Sequence, residues 1–216
     1  MDSFVFPKWT NALRPALAVG VAGGLVYIVF VAAYGASPKT TDVGYAPAQP
    51  VEYQHSVHAG ELGTDCRYCH NTVERSAHAA IPPTQTCMNC HKLINVDSAK
   101  LLVVRESYGT GMPVEWVRVH DLPDYAYFDH SAHLRAGVGC VSCHGRVDKM
   151  DVVYQAETLS MGWCLDCHRS PEQHLRPRDS IARMDWIPME DQRLLGRRLR
   201  ELYDVNPKDD CSVCHR

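Results

Sequence analysis

A mainly α-helical chain with little regular secondary structure, one membrane-spanning helix followed by a compact head, is what two features of the 216 residues predict. The first is a run without a charged side chain, from Pro15 to Pro38. The second is the placement of all ten cysteines in five C-x-x-C-H units: Cys66-Arg67-Tyr68-Cys69-His70, Cys87-Met88-Asn89-Cys90-His91, Cys140-Val141-Ser142-Cys143-His144, Cys164-Leu165-Asp166-Cys167-His168 and Cys211-Ser212-Val213-Cys214-His215. The units are organised as a duplication. His55 and His58 precede the first two motifs, and His130 and His133 precede the next two in the same layout.

Residues 1–36 read as a short amino-terminal segment and a single transmembrane helix, since a bilayer crossing needs about 20 apolar residues. The apolar run exceeds the core of a typical cleaved signal peptide. Lys8 and Arg14 put the amino terminus in the cytoplasm by the positive-inside rule, so everything after Lys39 lies on the periplasmic side of the cytoplasmic membrane. Gly20 and Gly24 form a small-xxx-small pair suited to close helix approach. Residues 37–50, with Pro38, Pro47 and Pro50, read as an extended linker.

Two thiols three residues apart on one turn can each bond covalently to a vinyl group of haem, and the adjoining histidine then reaches the iron from the same side; C-x-x-C-H is therefore the pattern of c-type haem attachment. Two other chemistries use similar spacing. The short gaps from Cys69 to Cys87 and from Cys143 to Cys164 suit paired C-x-x-C zinc ribbons. An even cysteine count in an exported protein also suits a disulfide framework. Neither accounts for a histidine after every pair, or for a fifth pair with no sixth. The expectation is five covalently attached haem c, held through the ten cysteines, with His70, His91, His144, His168 and His215 as proximal iron ligands. Export and c-type attachment belong to the same compartment, so the two readings agree.

Haem brings its own apolar surface, so a haem-packed head needs few long elements. The expected organisation is a first dihaem module at 51–92, an inter-module segment at 93–127, a second dihaem module at 128–169, and a C-terminal segment at 170–216 carrying the fifth haem. Between the modules, Asp97 or Ser98 is placed to cap a helix ending before Gly109, and Val114 to His120 reads as a strand with Trp116, Arg118 and His120 on one face. Asp191 to Tyr203 reads as an amphipathic helix, Leu195, Leu199 and Leu202 opposite Arg193, Arg197 and Arg200, bracing the fifth haem. Arginine outnumbers lysine 16 to 6, which suits bidentate contacts to propionates, and a net charge of -3 singles out no nucleic-acid partner.

Seven of the twelve histidines lie outside the motifs: His55, His58, His78, His120, His130, His133 and His174. The two H-x-x-H pairs, set identically before two haem motifs, resemble those of the class III multihaem cytochromes c. The resemblance implies that His55 completes the haem on His70, His58 the haem on His91, His130 the haem on His144 and His133 the haem on His168. It also implies, for the fifth haem on His215, a ligand just before the fourth motif, where Met161 stands; Met150 and His120 are the alternatives. His78 and His174 are expected to be non-ligands.

Over nearly all its length the chain also resembles the pentahaem cytochrome subunit of alternative complex III, a bacterial quinol-oxidising membrane assembly. The phrases that carry this are Ile81-Pro82-Pro83-Thr84-Gln85-Thr86-Cys87-Met88-Asn89-Cys90-His91, Val119-His120-Asp121-Leu122-Pro123-Asp124, Gly139-Cys140-Val141-Ser142-Cys143-His144-Gly145 and Met161-Gly162-Trp163-Cys164. The resemblance implies an electron-transfer subunit without a substrate site of its own. Its implied partners are an iron–sulfur/molybdopterin-like subunit, a monohaem cytochrome c and polytopic quinol-binding subunits. Two alternatives are a single-anchor quinol dehydrogenase that oxidises quinol directly and a multihaem reductase. The long stretch between the apolar run and Cys66 weighs against the first, and the absence of a motif with lysine in place of its histidine weighs against the second.

Overall fold

The computed structural model describes residues 6–215 and divides into two units, one ending at Asp42 and the other running from Val43 onward. In the first unit, α1 (Thr10–Gly35) spans 26 residues, roughly 39 Å at the α-helical rise and enough for a hydrocarbon layer of about 30 Å. No α1 side chain is buried, as suits a helix whose apolar surface meets lipid. After it, Ser37 accepts from the Lys39 amide and starts α2 (Pro38–Thr41), with proline at the first helical position, where its missing N–H costs nothing.

The second unit is almost entirely short helical turns and irregular chain. No strand forms among the described residues; only isolated antiparallel bridges occur, Ala126 with His215 and Val138 with Leu175. The helices are α3 (Cys66–Cys69), α4 (Thr84–His91), α5 (Leu102–Thr110), α6 (His130–Ala136), α7 (Val141–His144), α8 (Met161–Arg169), α9 (Gln192–Leu202) and α10 (Cys211–Cys214). Nine apolar side chains are buried among the described residues, few for a unit of this length. Six of them gather in two small clusters. Val51, Met88 and Val104 form one, with Trp116 and Val114 against it; Val73, Leu134 and Ile181 form the other.

Several sequence expectations change here. The head starts earlier than the expected linker allows: Gly44 donates to the Gln155 carbonyl, the Gln155 amide donates to Tyr45, and the Gln49 side chain pairs with both backbone groups of Val117. That side-chain amide is the partner of the Val117 backbone, and the Trp116 amide donates to the Val114 carbonyl, so Val114 to His120 is irregular chain and not a strand. Trp116 turns toward the Val51 cluster while Arg118 pairs outward with Asp121, so they do not share a face. The inter-module helix runs through Gly109 and stops at Gly111, whose φ of 74° is the left-handed turn that glycine adopts without strain.

The expected C-terminal helix forms, with Asp191 accepting from the Leu194 amide at its start. It lies against the turn Pro171–Gln173: a Cβ on Gly196 would stand 2.0 Å from the Glu172 carbonyl oxygen, so only glycine permits this approach. Leu199 is buried, but Leu202 stays 73% exposed and Arg200 turns in to Glu172. The helix thus braces the chain just after the fourth motif.

Candidate haem-binding site

Each C-x-x-C-H motif sits on a single helical turn, which puts cysteines three apart on one face. Two of the turns are capped by a side chain just ahead: Asp65 accepts from the Arg67 amide before the first motif, and Ser160 from the Trp163 amide before the fourth. All ten thiols are unbonded. No three histidine, cysteine, aspartate or glutamate side chains converge among the described residues in the way a zinc ion requires. The geometry therefore disfavours both the disulfide and the zinc readings. Burial pushes the Cys143 thiol up to about 12 and Cys140 up to about 11, with nearby thiols adding to the effect, so neither is an activated nucleophile.

The histidines carry the clearest signal. In seven of them Nδ1 donates to a backbone carbonyl: His58 to Gln54 (2.9 Å), His70 to Ala80 (2.8 Å), His91 to Ile94 (3.0 Å), His130 to Ala77 (2.7 Å), His133 to Asp129 (2.7 Å), His168 to Lys208 (2.7 Å) and His215 to Tyr125 (3.1 Å). A carbonyl can only accept, so the proton is on Nδ1 and the Nε2 lone pair is left free for a metal. All seven belong to the expected ligand set. His55 and His144, also in that set, make no such bond among the described residues, and neither do His78, His120 and His174.

Three pairs of rings face each other at a common spacing. Centroids lie 6.2 Å apart for His58 and His91, 6.1 Å for His133 and His168, and 6.3 Å for His130 and His144, the last pair only 10° from parallel. A metal–imidazole bond is about 2 Å, so two rings on opposite sides of one ion have centroids roughly 6 Å apart. His55 and His70 are electrostatic neighbours, and burial holds His55 down at about 4. His144, at the centre, is pushed down to about 3 by burial and by the imidazoles of His120, His130, His70 and His55. Both stay neutral, the form that binds iron.

The sequence reading missed two residues. Tyr53 stacks on His58 (4.4 Å, 23°) and meets His55 edge-on (4.7 Å, 83°). Phe128 does the same to His133 (4.5 Å, 27°) and His130 (4.7 Å, 88°). The signal was available: an aromatic stands two positions before the first histidine of each pair.

The candidates for the fifth distal ligand are scattered. Met161 opens α8 and is 65% exposed. Met150 is buried, its methyl end toward Gly145 beside the third motif. The His120 ring is 4.5 Å from that of His144, too close to share an iron with it from the opposite side, and its Nε2 is buried without a partner. Around His215 the nearest ring is Tyr125, at 5.9 Å.

Residues 126–216 match the family described as cytochrome c7 and related cytochrome c. This part of the chain is a cytochrome c7-like multihaem domain. The match begins two positions before Phe128 and takes in His130, His133 and the last three motifs. Cytochromes of this kind bind haem covalently through paired cysteines. The chain is also 29% identical over 148 residues to the multihaem cytochrome c subunit of a menaquinone reductase from Nitratidesulfovibrio vulgaris, an alignment covering 59% of this chain and 70% of that protein.

Proposed function

We propose that this chain is a membrane-anchored pentahaem cytochrome c that relays electrons as a subunit of a quinol-oxidising complex of the alternative complex III type. Haem bound at the five motifs supplies one-electron ferric/ferrous chemistry. The chain's own residues do the rest. The ten cysteines tether the macrocycles; His70, His91, His144, His168 and His215 are the proximal ligands. His55, His58, His130 and His133 complete the first four irons, and Met161 the fifth. The observation that carries this reading is the set of three imidazole pairs at 6.1 to 6.3 Å, each joining a motif histidine to an H-x-x-H histidine. With haem bound, ligands from these residues on both sides would leave no position for substrate, and quinol would be handled by a partner. The relative's name, a menaquinone reductase subunit, supports a quinone-linked assembly. In it we place polytopic quinol-binding subunits, an iron–sulfur/molybdopterin-like subunit and a monohaem cytochrome c, with the haem head on the periplasmic side.

The test is ligation. Intact mass should exceed the polypeptide by five haems, and haem staining should survive denaturation. The oxidised protein should display the methionine-to-iron charge-transfer band, and Met161→His should remove it while lowering one midpoint potential of five. A readily cyanide-binding high-spin haem would instead favour a reductase, and fast reduction of the isolated chain by menaquinol would favour the direct dehydrogenase.

A further inference from the structure

Contacts between the motifs define an order that their numbering along the chain does not. The second motif touches the first: Asn89 donates to the Tyr68 hydroxyl (3.0 Å), and Tyr53 lies against both His55 and His58, the latter facing His91. On its other side α4 packs on α5.

The first motif also meets the third. Cys66 Sγ lies 3.8 Å from the Ala182 carbonyl oxygen while the Cys140 amide donates to the adjacent Ile181 carbonyl (3.0 Å). His130 and the Ser131 amide are bonded to Ala77 and Ser76, in the loop just after the first motif. Val73, Leu134 and Ile181 close the same junction, and a Cβ on Gly60 would stand 2.2 Å from the Asp148 carbonyl oxygen.

The third and fourth motifs are joined through Phe128, which lies against both His130, facing His144, and His133, facing His168. The fourth is joined to the fifth by the chain running into it: His168 donates to the Lys208 carbonyl (2.7 Å), and Arg169 pairs with Asp209 (3.2 Å).

We infer that the five motifs stand in single file in the order second, first, third, fourth, fifth, so that Cys87–His91 and Cys211–His215 are the two ends of the relay. This rests on reading the motifs as haem sites. The first motif occupies an interior position because both its faces are used, one by each module. An electron accepted at one end from a one-electron carrier leaves at the other, and no bond is made or broken.

The order can be read in the intact chain by marking one haem at a time. Made in a Met161→His background, so that the haem on His215 stays ferric, His58→Met and His133→Met keep all cysteines and raise the potential of one haem each, on His91 and His168. Reducing only the marked haem removes its paramagnetism, and the ferric electron spin resonance signals of its neighbours then narrow. The single file requires one narrowed neighbour for His58→Met and two for His133→Met. Two neighbours for the first, or one for the second, overturns the order. In parallel, four-haem variants test the same point by midpoint potentials. Removing the second motif (Cys87→Ala with Cys90→Ala) removes one neighbouring charge and should change the reduction equilibrium of one remaining haem about threefold, and removing the third (Cys140→Ala with Cys143→Ala) should change two. Equal numbers for both overturn it. A mass corresponding to fewer than five haems in the unmutated chain would instead defeat the haem reading itself.

Discussion

In the first module His58 rides on a six-residue π turn, Ser56–Glu61, with no side-chain cap. In the second, His133 rides on α6, where Asp129 accepts from the Ser131 and Ala132 amides and Gly137, at φ 87°, ends the helix. The ring arrangements nevertheless coincide. The stacked centroids are 4.4 Å apart in the first module and 4.5 Å in the second, and the edge-on pair is at 4.7 Å in both. In both modules Nδ1 of the second histidine also bonds to the carbonyl four positions before it, Gln54 in one and Asp129 in the other. What the two copies have in common is the position of the imidazoles, and two different backbones reach it. A metal-binding site constrains rings and lone pairs; the turn beneath them is free to differ.

The modules also differ in what holds them. The C-terminal segment clamps the second: the Arg176 amide donates to the Gly137 carbonyl, Leu175 is fully buried and Leu199 is 6% exposed. The first leans on Val51, Met88 and Val104, between α4 and α5. Leu175→Ala should therefore have the largest effect, about 2–5 kcal/mol of stability. Calorimetry should register that loss, and hydrogen exchange should rise first at Val138 and Arg176. Equal loss of protection in both modules would mean that they unfold as one. Val104→Ala comes next, at about 1.5–3 kcal/mol, with exchange rising in α4 and α5 while α6 stays protected.

The cap comes third. Asp129→Ala should cost about 0.5–2 kcal/mol; Gln54→Ala, at the matching place on the uncapped π turn, should cost clearly less in the same denaturant titration. A similar cost at both positions would remove the distinction between the two turns. Tyr53→Phe should have the smallest effect, below about 0.5 kcal/mol, because its hydroxyl makes no hydrogen bond among the described residues. The two aromatic positions would then be interchangeable, and the midpoint potentials of the haems on His70 and His91 should stay in place. Tyr53→Ala, which removes the stacked ring, should move them.

Much of this molecule is readable along the chain because its chemistry is local. A C-x-x-C-H unit is complete within a single turn and its neighbour, an apolar run declares a spanning helix by length alone, and α9 follows from the period of its leucines and its Asp191 cap. Expectations failed where distant chain supplied the deciding group. Nothing near Val117 announces that the side-chain amide of Gln49, far back in the chain, is the partner of its backbone. Nor does Gly139, just before Cys140, disclose that a Cβ there would lie 2.2 Å from Nε of Arg176.

The five C-x-x-C-H motifs and the two H-x-x-H pairs are therefore properties of the primary structure, since each is set by residues within a turn or two. Which motif neighbours which is not. That order depends on the loop after the first motif folding onto α6, and on Ile181 and Ala182 returning from the C-terminal segment to lie against both the first and the third motifs. Hydrogen bonds and packing between residues so far apart along the chain leave no periodic trace in a sequence, so only the folded chain could place the first motif between the second and the third.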